Sequence, residues 1–127
     1  MRVARIDHFV LTVRDPQRTI EFYTRALGME EVTFGEGRKA LRFGQHKINL
    51  HAVDRPVDPN VRHATPGSAD FCLVVESDLA LVVADLERAG VRVILGPVPR
   101  TGAVGPMRSV YFYDPDENLV EVATYGP

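Results

Sequence analysis

The sequence predicts an α+β fold of two tandem βαβββ modules, whose strands form a curved mixed sheet around a cleft. Three observations carry that prediction. A shift of 62 positions lays Asp7-His8-Phe9-Val10-Leu11-Thr12-Val13 over Ala69-Asp70-Phe71-Cys72-Leu73-Val74-Val75, and the same shift carries Leu27-Gly28-Met29 onto Ala89-Gly90-Val91. A shift of 70 positions lays Asn49-Leu50-His51-Ala52 over Leu119-Val120-Glu121-Val122. In both halves the apolar spacing runs from strand-like alternation to a helical period and back to alternation.

In the first half, residues 6–13 alternate as a half-buried strand. Phe9, Leu11 and Val13 share one face, and His8, Val10 and Thr12 the other. Asp15-Pro16 reads as a helix start, with Asp15 as N-cap and Pro16 in the first turn. Ile20, Tyr23 and Leu27 follow at helical spacing, and Gly28 supplies the stop. Three strands are expected next, over residues 30–34, 39–43 and 47–53, separated by Gly35-Glu36-Gly37 and Gly44-Gln45-His46.

The second half repeats the plan. Phe71, Leu73 and Val75 form one strand face, opposite Asp70, Cys72 and Val74. Ser77 is the expected cap of a helix carrying Leu79, Val82, Val83 and Leu86, which ends at Gly90. Strands are expected at 91–95, 109–113 and 119–124, with a Gly/Pro-rich loop at 96–106 and a structural turn at 114–118. The chain is thus one domain over 1–127, made of repeats 5–53 and 68–124 joined by the polar linker 54–67.

A βαβββ unit covers one face of its sheet with its helix and leaves the other open until a second unit completes the cleft. Strand alternation decides what lines the open face. His8, Asn49, His51, Asp70 and Glu121 all fall opposite the apolar positions, so all are expected to face the cleft. His8, His51 and Glu121 make a two-His-one-carboxylate set suited to a catalytic divalent metal with open positions. Asp70 serves as a fourth ligand or as a base beside it. These nitrogen and oxygen donors accept Zn, Mn, Fe(II), Ni or Co. A lone inward histidine is more often a core residue than a ligand; the joint placement under a repeat is what points to a metal. Arg100 and Arg108 flank the longest flexible stretch of the second half, where an arginine can bind a substrate carboxylate or phosphate or simply be solvated. Asn49 is a further candidate substrate contact.

The remaining features narrow the function class. A formal charge of −2 and a pI near 6.1 leave no electrostatic footprint for nucleic acid or an anionic membrane. No apolar run reaches the length that spans a bilayer, and the N-terminus has no signal-peptide pattern. The single cysteine, Cys72, fits a reducing compartment, so the cytoplasm is expected. There is no Gly-rich phosphate loop, no nucleophile elbow and no paired CxxC.

The doubled βαβββ pattern, with His in Ile6-Asp7-His8 and Glu in Asn118-Leu119-Val120-Glu121, resembles the vicinal oxygen chelate superfamily, the glyoxalase, bleomycin-resistance and extradiol dioxygenase group. Lys47-Ile48-Asn49-Leu50-His51, Pro66-Gly67-Ser68-Ala69-Asp70 and Arg100-Thr101-Gly102-Ala103 are similar to its glyoxalase domain-containing 5 subgroup, whose bacterial members are often labelled virulence proteins. The resemblance implies a divalent metal that chelates two adjacent oxygens of a small substrate, held by His8, His51 and Glu121, with Glu121 or Asp70 moving a proton. The resemblance thus implies a glyoxalase-like lyase or isomerase, working as a homodimer on a small oxygenated substrate such as a methylglyoxal–thiol adduct. Two alternatives stay open: an Fe(II) extradiol-type dioxygenase, and a non-catalytic drug-binding protein of the bleomycin-resistance kind. The chain differs from the familiar glyoxalase I pattern in having His51 where a carboxylate is common and Asp70 where a histidine is common.

Overall fold

The computed structural model describes residues 1–126 and divides into two compact units, Met1–Gly67 and a second beginning at Ser68. Each is a βαβββ module with its own four-stranded mixed sheet. The first runs β1 (His8–Val13), α1 (Pro16–Leu27), β2 (Glu30–Phe34), β3 (Arg38–Phe43) and β4 (His46–Ala52). Its strand order is β1-β4-β3-β2, with β1 parallel to β4 and the other neighbours antiparallel. The second runs β5 (Asp70–Val74), α2 (Leu79–Arg88), β6 (Leu95–Gly102), β7 (Gly105–Tyr113) and β8 (Leu119–Tyr125), in the order β5-β8-β7-β6 with the same directions. Two tandem βαβββ modules are therefore what the chain folds into.

The first helix forms where its caps dictate. Asp15 accepts hydrogen bonds from the backbone N–H groups of Gln17 (3.1 Å) and Arg18 (3.3 Å), which satisfies two donors that the helix itself leaves free. Gly28 ends it in the left-handed region at φ 66°, where its N–H reaches the Thr24 carbonyl. Ile20, Tyr23 and Ala26 are buried on the face that α1 turns to the sheet, where Leu11, Leu41 and Ile48 are also buried. Each of the buried leucines and isoleucines contributes about 1.5–3 kcal/mol by leaving water. In the second module Leu79, Val82 and Leu86 of α2 do the same work beside buried Val110, Phe112, Val120 and Val122.

Three expectations are corrected. Asp78, not Ser77, caps α2, accepting from the Ala80 N–H at 3.0 Å; a carboxylate one residue later reaches the first turn better than the serine does. The strand expected at 91–95 begins only at Leu95 and continues to Gly102, through the segment read as a Gly/Pro-rich loop. Its prolines are tolerated because β6 is an edge strand, where a missing N–H breaks no interior ladder. Gly96 belongs there for another reason: a side chain at that point would run into the Ser109 carbonyl of β7. Finally, β7 starts at Gly105 rather than 109, so β6 and β7 form a longer hairpin than the alternation suggested.

The turn at 114–118 is structural, as expected. Asp114 accepts from the N–H groups of Asp116 and Asn118 and from the Asn118 amide, each at 2.9 Å. The Asn118 side-chain oxygen in turn accepts from the Ala69 N–H at 2.9 Å, tying the turn to the start of β5.

Candidate metal and substrate site

In the first module the ladder registers set which side chains share the open face. His8 lies opposite Lys47, Val10 opposite Asn49 and Thr12 opposite His51. His8 and His51 are thus on one face, separated by four residue steps, about 13 Å along the strands. Asn49 is one diagonal step from His8. In the second module Asp70 lies opposite Leu119 and Cys72 opposite Glu121.

These registers correct one equivalence read from the sequence. Val10 and Cys72 correspond under the shift of 62, and their partners are Asn49 and Glu121. The residue of β4 that stands where Glu121 stands in β8 is therefore Asn49, not His51. The sequence shift of 70 matched apolar alternation, and alternation is blind to a slip of two residues because the pleat repeats every two. His8 and Asp70 remain equivalent.

Each candidate donor has a definite setting. The His8 ring Nδ1 is 2.7 Å from an Asp7 carboxylate oxygen. An ionised carboxylate only accepts, so Nδ1 carries a proton, and Nε2 is the ring atom left to meet a ligand. The hydrogen bond with His8, in turn, holds the Asp7 carboxyl below its ordinary range. His51 and Asn49 are buried, at 8% and 5% exposure, and neither His51 ring nitrogen nor the Asn49 side-chain oxygen has a hydrogen-bond partner among the described residues. Buried polar atoms without protein partners cost about 1–3 kcal/mol each unless water or a ligand meets them.

Glu121 is held on the open face of the second sheet. The fully buried Ser109 hydroxyl donates to Glu121 Oε2 at 2.6 Å. Burial, and then the charge of Glu121 and the hydrogen bond with it, push the Cys72 thiol up to about 11. Tyr111 lies directly opposite Glu121, and its hydroxyl accepts from Arg100 Nε at 2.8 Å while the guanidinium lies 5.3 Å from the ring centre. Arg100 is thus brought onto the face of Glu121 and Asp70. Arg108 is not: it alternates to the other face and lines a cavity of about 460 Å³ with Ser77, Asp78 and Thr124 beside the start of α2. Among the described residues no three His, Cys, Asp or Glu side chains are grouped as a metal site.

Sequence reasoning missed Asp7, Ser109 and Tyr111. Asp7 was adjacent to the expected ligand and available. Ser109 and Tyr111 follow from pairing β7 with β8 across the turn at 114–118, a register that alternation alone does not supply.

Two four-stranded βαβββ sheets, with histidine and carboxylate groups on the faces away from the helices, define a glyoxalase-type fold. The chain belongs to the Glyoxalase/Bleomycin resistance protein/Dioxygenase superfamily, which it matches over residues 5–122. It is 48% identical over 125 residues to glyoxalase domain-containing protein RDO1 of Mycosarcoma maydis, covering 98% of this chain and 70% of that protein. It is 47% identical to virulence protein STM3117 of Salmonella typhimurium over 98% of this chain and 87% of that one. The crystal structure of STM3117 superposes with a TM-score of 0.97, covering 99% of this chain and all (100%) of the other. At lower identity the fold is shared with a lactoylglutathione lyase from Agrobacterium tumefaciens (23%, TM-score 0.74, 97% of this chain and 95% of that one). It is also shared with TnmS3, an antibiotic-binding protein from Streptomyces (20%, TM-score 0.78, 99% of each chain).

No helix of the described residues is long and apolar enough to cross a membrane.

Proposed function

We propose that the protein is a divalent-metal-dependent lyase or isomerase of the glyoxalase kind, acting on a small substrate with two adjacent oxygens, such as a methylglyoxal–thiol adduct. The observation that carries this reading is the His8–Asp7 pair at 2.7 Å. Metal-binding histidines characteristically give their second ring nitrogen to a carboxylate, which fixes the tautomer and raises the basicity of the ligand nitrogen. The donors suit Zn, Ni, Co, Mn or Fe.

His8 and Glu121 are the first two ligands. The sequence points to His51 as the third, but the four-step offset from His8 favours Asp70, which occupies the position equivalent to His8. His51 then meets the substrate through its two unpartnered nitrogens, together with Asn49.

When bound, the ion stabilises negative charge developing on paired substrate oxygens. Glu121, one oxygen of which is held by Ser109, takes the proton from the carbon bearing one oxygen and returns it to the neighbouring carbon. Arg100, braced by Tyr111, orients the substrate. The active form is a homodimer in the cytoplasm, where the lone Cys72 stays reduced.

The test is elemental analysis before and after chelator treatment, followed by reconstitution and assay with the hemithioacetal of methylglyoxal. About one ion per chain with metal-dependent turnover is expected. No stoichiometric uptake of any of the five metals would sink the reading in favour of a binding protein. Light scattering checks the dimer, and the mass of a single chain would refute it.

A further inference from the structure

The open face of the first module has a pronounced sign of charge. Its ladder positions carry Lys47, Arg42 and Arg38 alongside His8, Asn49 and His51, with Glu30 as the carboxylate. Glu30 is already taken, since Arg42 pairs with it at 2.9 Å. Lys47 and Arg38 instead share the ring of Phe34: the Lys47 ammonium is 3.7 Å from the ring centre and the Arg38 guanidinium 4.9 Å. A single ring attracts each cation, but two cations at one ring repel each other, and the Asp7 carboxylate that feels the Lys47 charge is already bonded to His8. Beside them, Asn49 and His51 present buried polar atoms with no partner. Positive charge, an aromatic wall and unpartnered polar groups on one face are the makings of a site for an anion with a polar body.

We propose that this face binds the anionic end of the substrate, a carboxylate or phosphate oxyanion, through Lys47 and Arg38, while Asn49 and His51 hydrogen-bond the polar part next to it. This rests on the reading of the same face as a substrate site and adds the substrate class: a small oxyanion, not a neutral ketone or an aromatic drug. Lys47 and Arg38 are specificity determinants and take no part in the proton transfer.

The experiment is an NMR titration of the full chain, chelator-treated, with pyruvate, with its uncharged amide pyruvamide, and with inorganic phosphate. Saturable shifts of the Asn49 and His51 signals are expected with pyruvate or phosphate and not with pyruvamide. Lys47→Gln and Arg38→Gln should each weaken binding about ten-fold, and Lys47→Arg should restore it, because charge and not shape is what matters. Tighter binding of phosphate over pyruvate assigns the phosphate class, and the reverse assigns the carboxylate class. Equal binding of pyruvamide and pyruvate, or unchanged affinity in Lys47→Gln and Arg38→Gln, overturns the proposal. Because the titration is run without metal, its failure is distinct from failure of the metal reading, which elemental analysis decides.

Discussion

The Ser109 hydroxyl, fully buried, donates to Glu121 Oε2 at 2.6 Å, so the carboxylate proposed to bind metal and move a proton is held from within the sheet. Ser109→Ala removes that donor and leaves the fold otherwise intact. The expected result is a stability loss of about 1 kcal/mol. A metal affinity about ten-fold to a hundred-fold weaker should accompany it. Thermal unfolding and equilibrium dialysis against a metal buffer measure the two, and unchanged affinity would show that Ser109 has no hand in placing Glu121.

Two substitutions separate the candidate third ligands. If the ladder register decides, Asp70→Asn loses most of the bound metal while His51→Ala retains it and loses substrate affinity instead. Elemental analysis of both variants after dialysis gives the answer. The opposite pattern would return His51 to the metal set. Asp7→Asn should fall between, weakening metal binding about ten-fold or more through loss of His8 orientation. Asp7 is exposed, so little change in stability is expected.

Cys72 supplies a pH signature. Its thiol is raised to about 11 by burial and by Glu121, so in the folded, metal-free protein alkylation should stay slow through neutral pH and accelerate until about 11. The sign is that of an acid raised in the folded state. The thiol's contribution to stability is complete below the unfolded thiol value of about 8.5 and is lost as pH climbs through the folded one. Glu121→Gln should move the alkylation midpoint down. A midpoint near that of an ordinary thiol in the parent protein would contradict the placement of Cys72 against Glu121.

Glu117 adopts φ 69°, the left-handed region, in a turn otherwise locked by Asp114 and Asn118. Glu117→Gly relieves a steric cost of about 1–2 kcal/mol. The gain is offset in part by about 0.5–1 kcal/mol of extra freedom in the unfolded chain. A net stabilisation of up to about 1 kcal/mol is expected from denaturant unfolding, with no change in metal content. A clear destabilisation would mean that the glutamate side chain contributes a contact of its own.

Much of this was legible in the sequence, and the limits are physical. Asp15-Pro16 and Gly28 fixed α1 because caps act locally, through hydrogen bonds spanning two or three residues. The faces of β1 and β5 followed from alternation, since Leu11 and Val13 are buried and His8 is not. Two things were not legible. The extent of β6 depended on its being an edge strand, a property of strand order that no local pattern carries. The identity of the residue equivalent to Glu121 depended on which rung of the ladder faces which, and a two-residue slip leaves every side chain on the face it had before. Asn49 therefore looked secondary and His51 primary until the pairing of Val10 with Asn49 was known.

The equivalence of Asn49 and Glu121 also bears on how a duplicated module diverges. The two copies keep the same backbone pairing, yet at matched rungs one holds a neutral amide and the other an acid, and where one has His8 the other has Asp70. Lys47 and Arg38 share the open face of the first copy, and Asp70 and Glu121 that of the second. The copies differ in charge at matched rungs, and in the longer, shifted β6–β7 pairing of the second. Asn49→Glu would hand the first copy the acid that its sibling carries, at the cost of burying a charge where Asn49 is only 5% exposed.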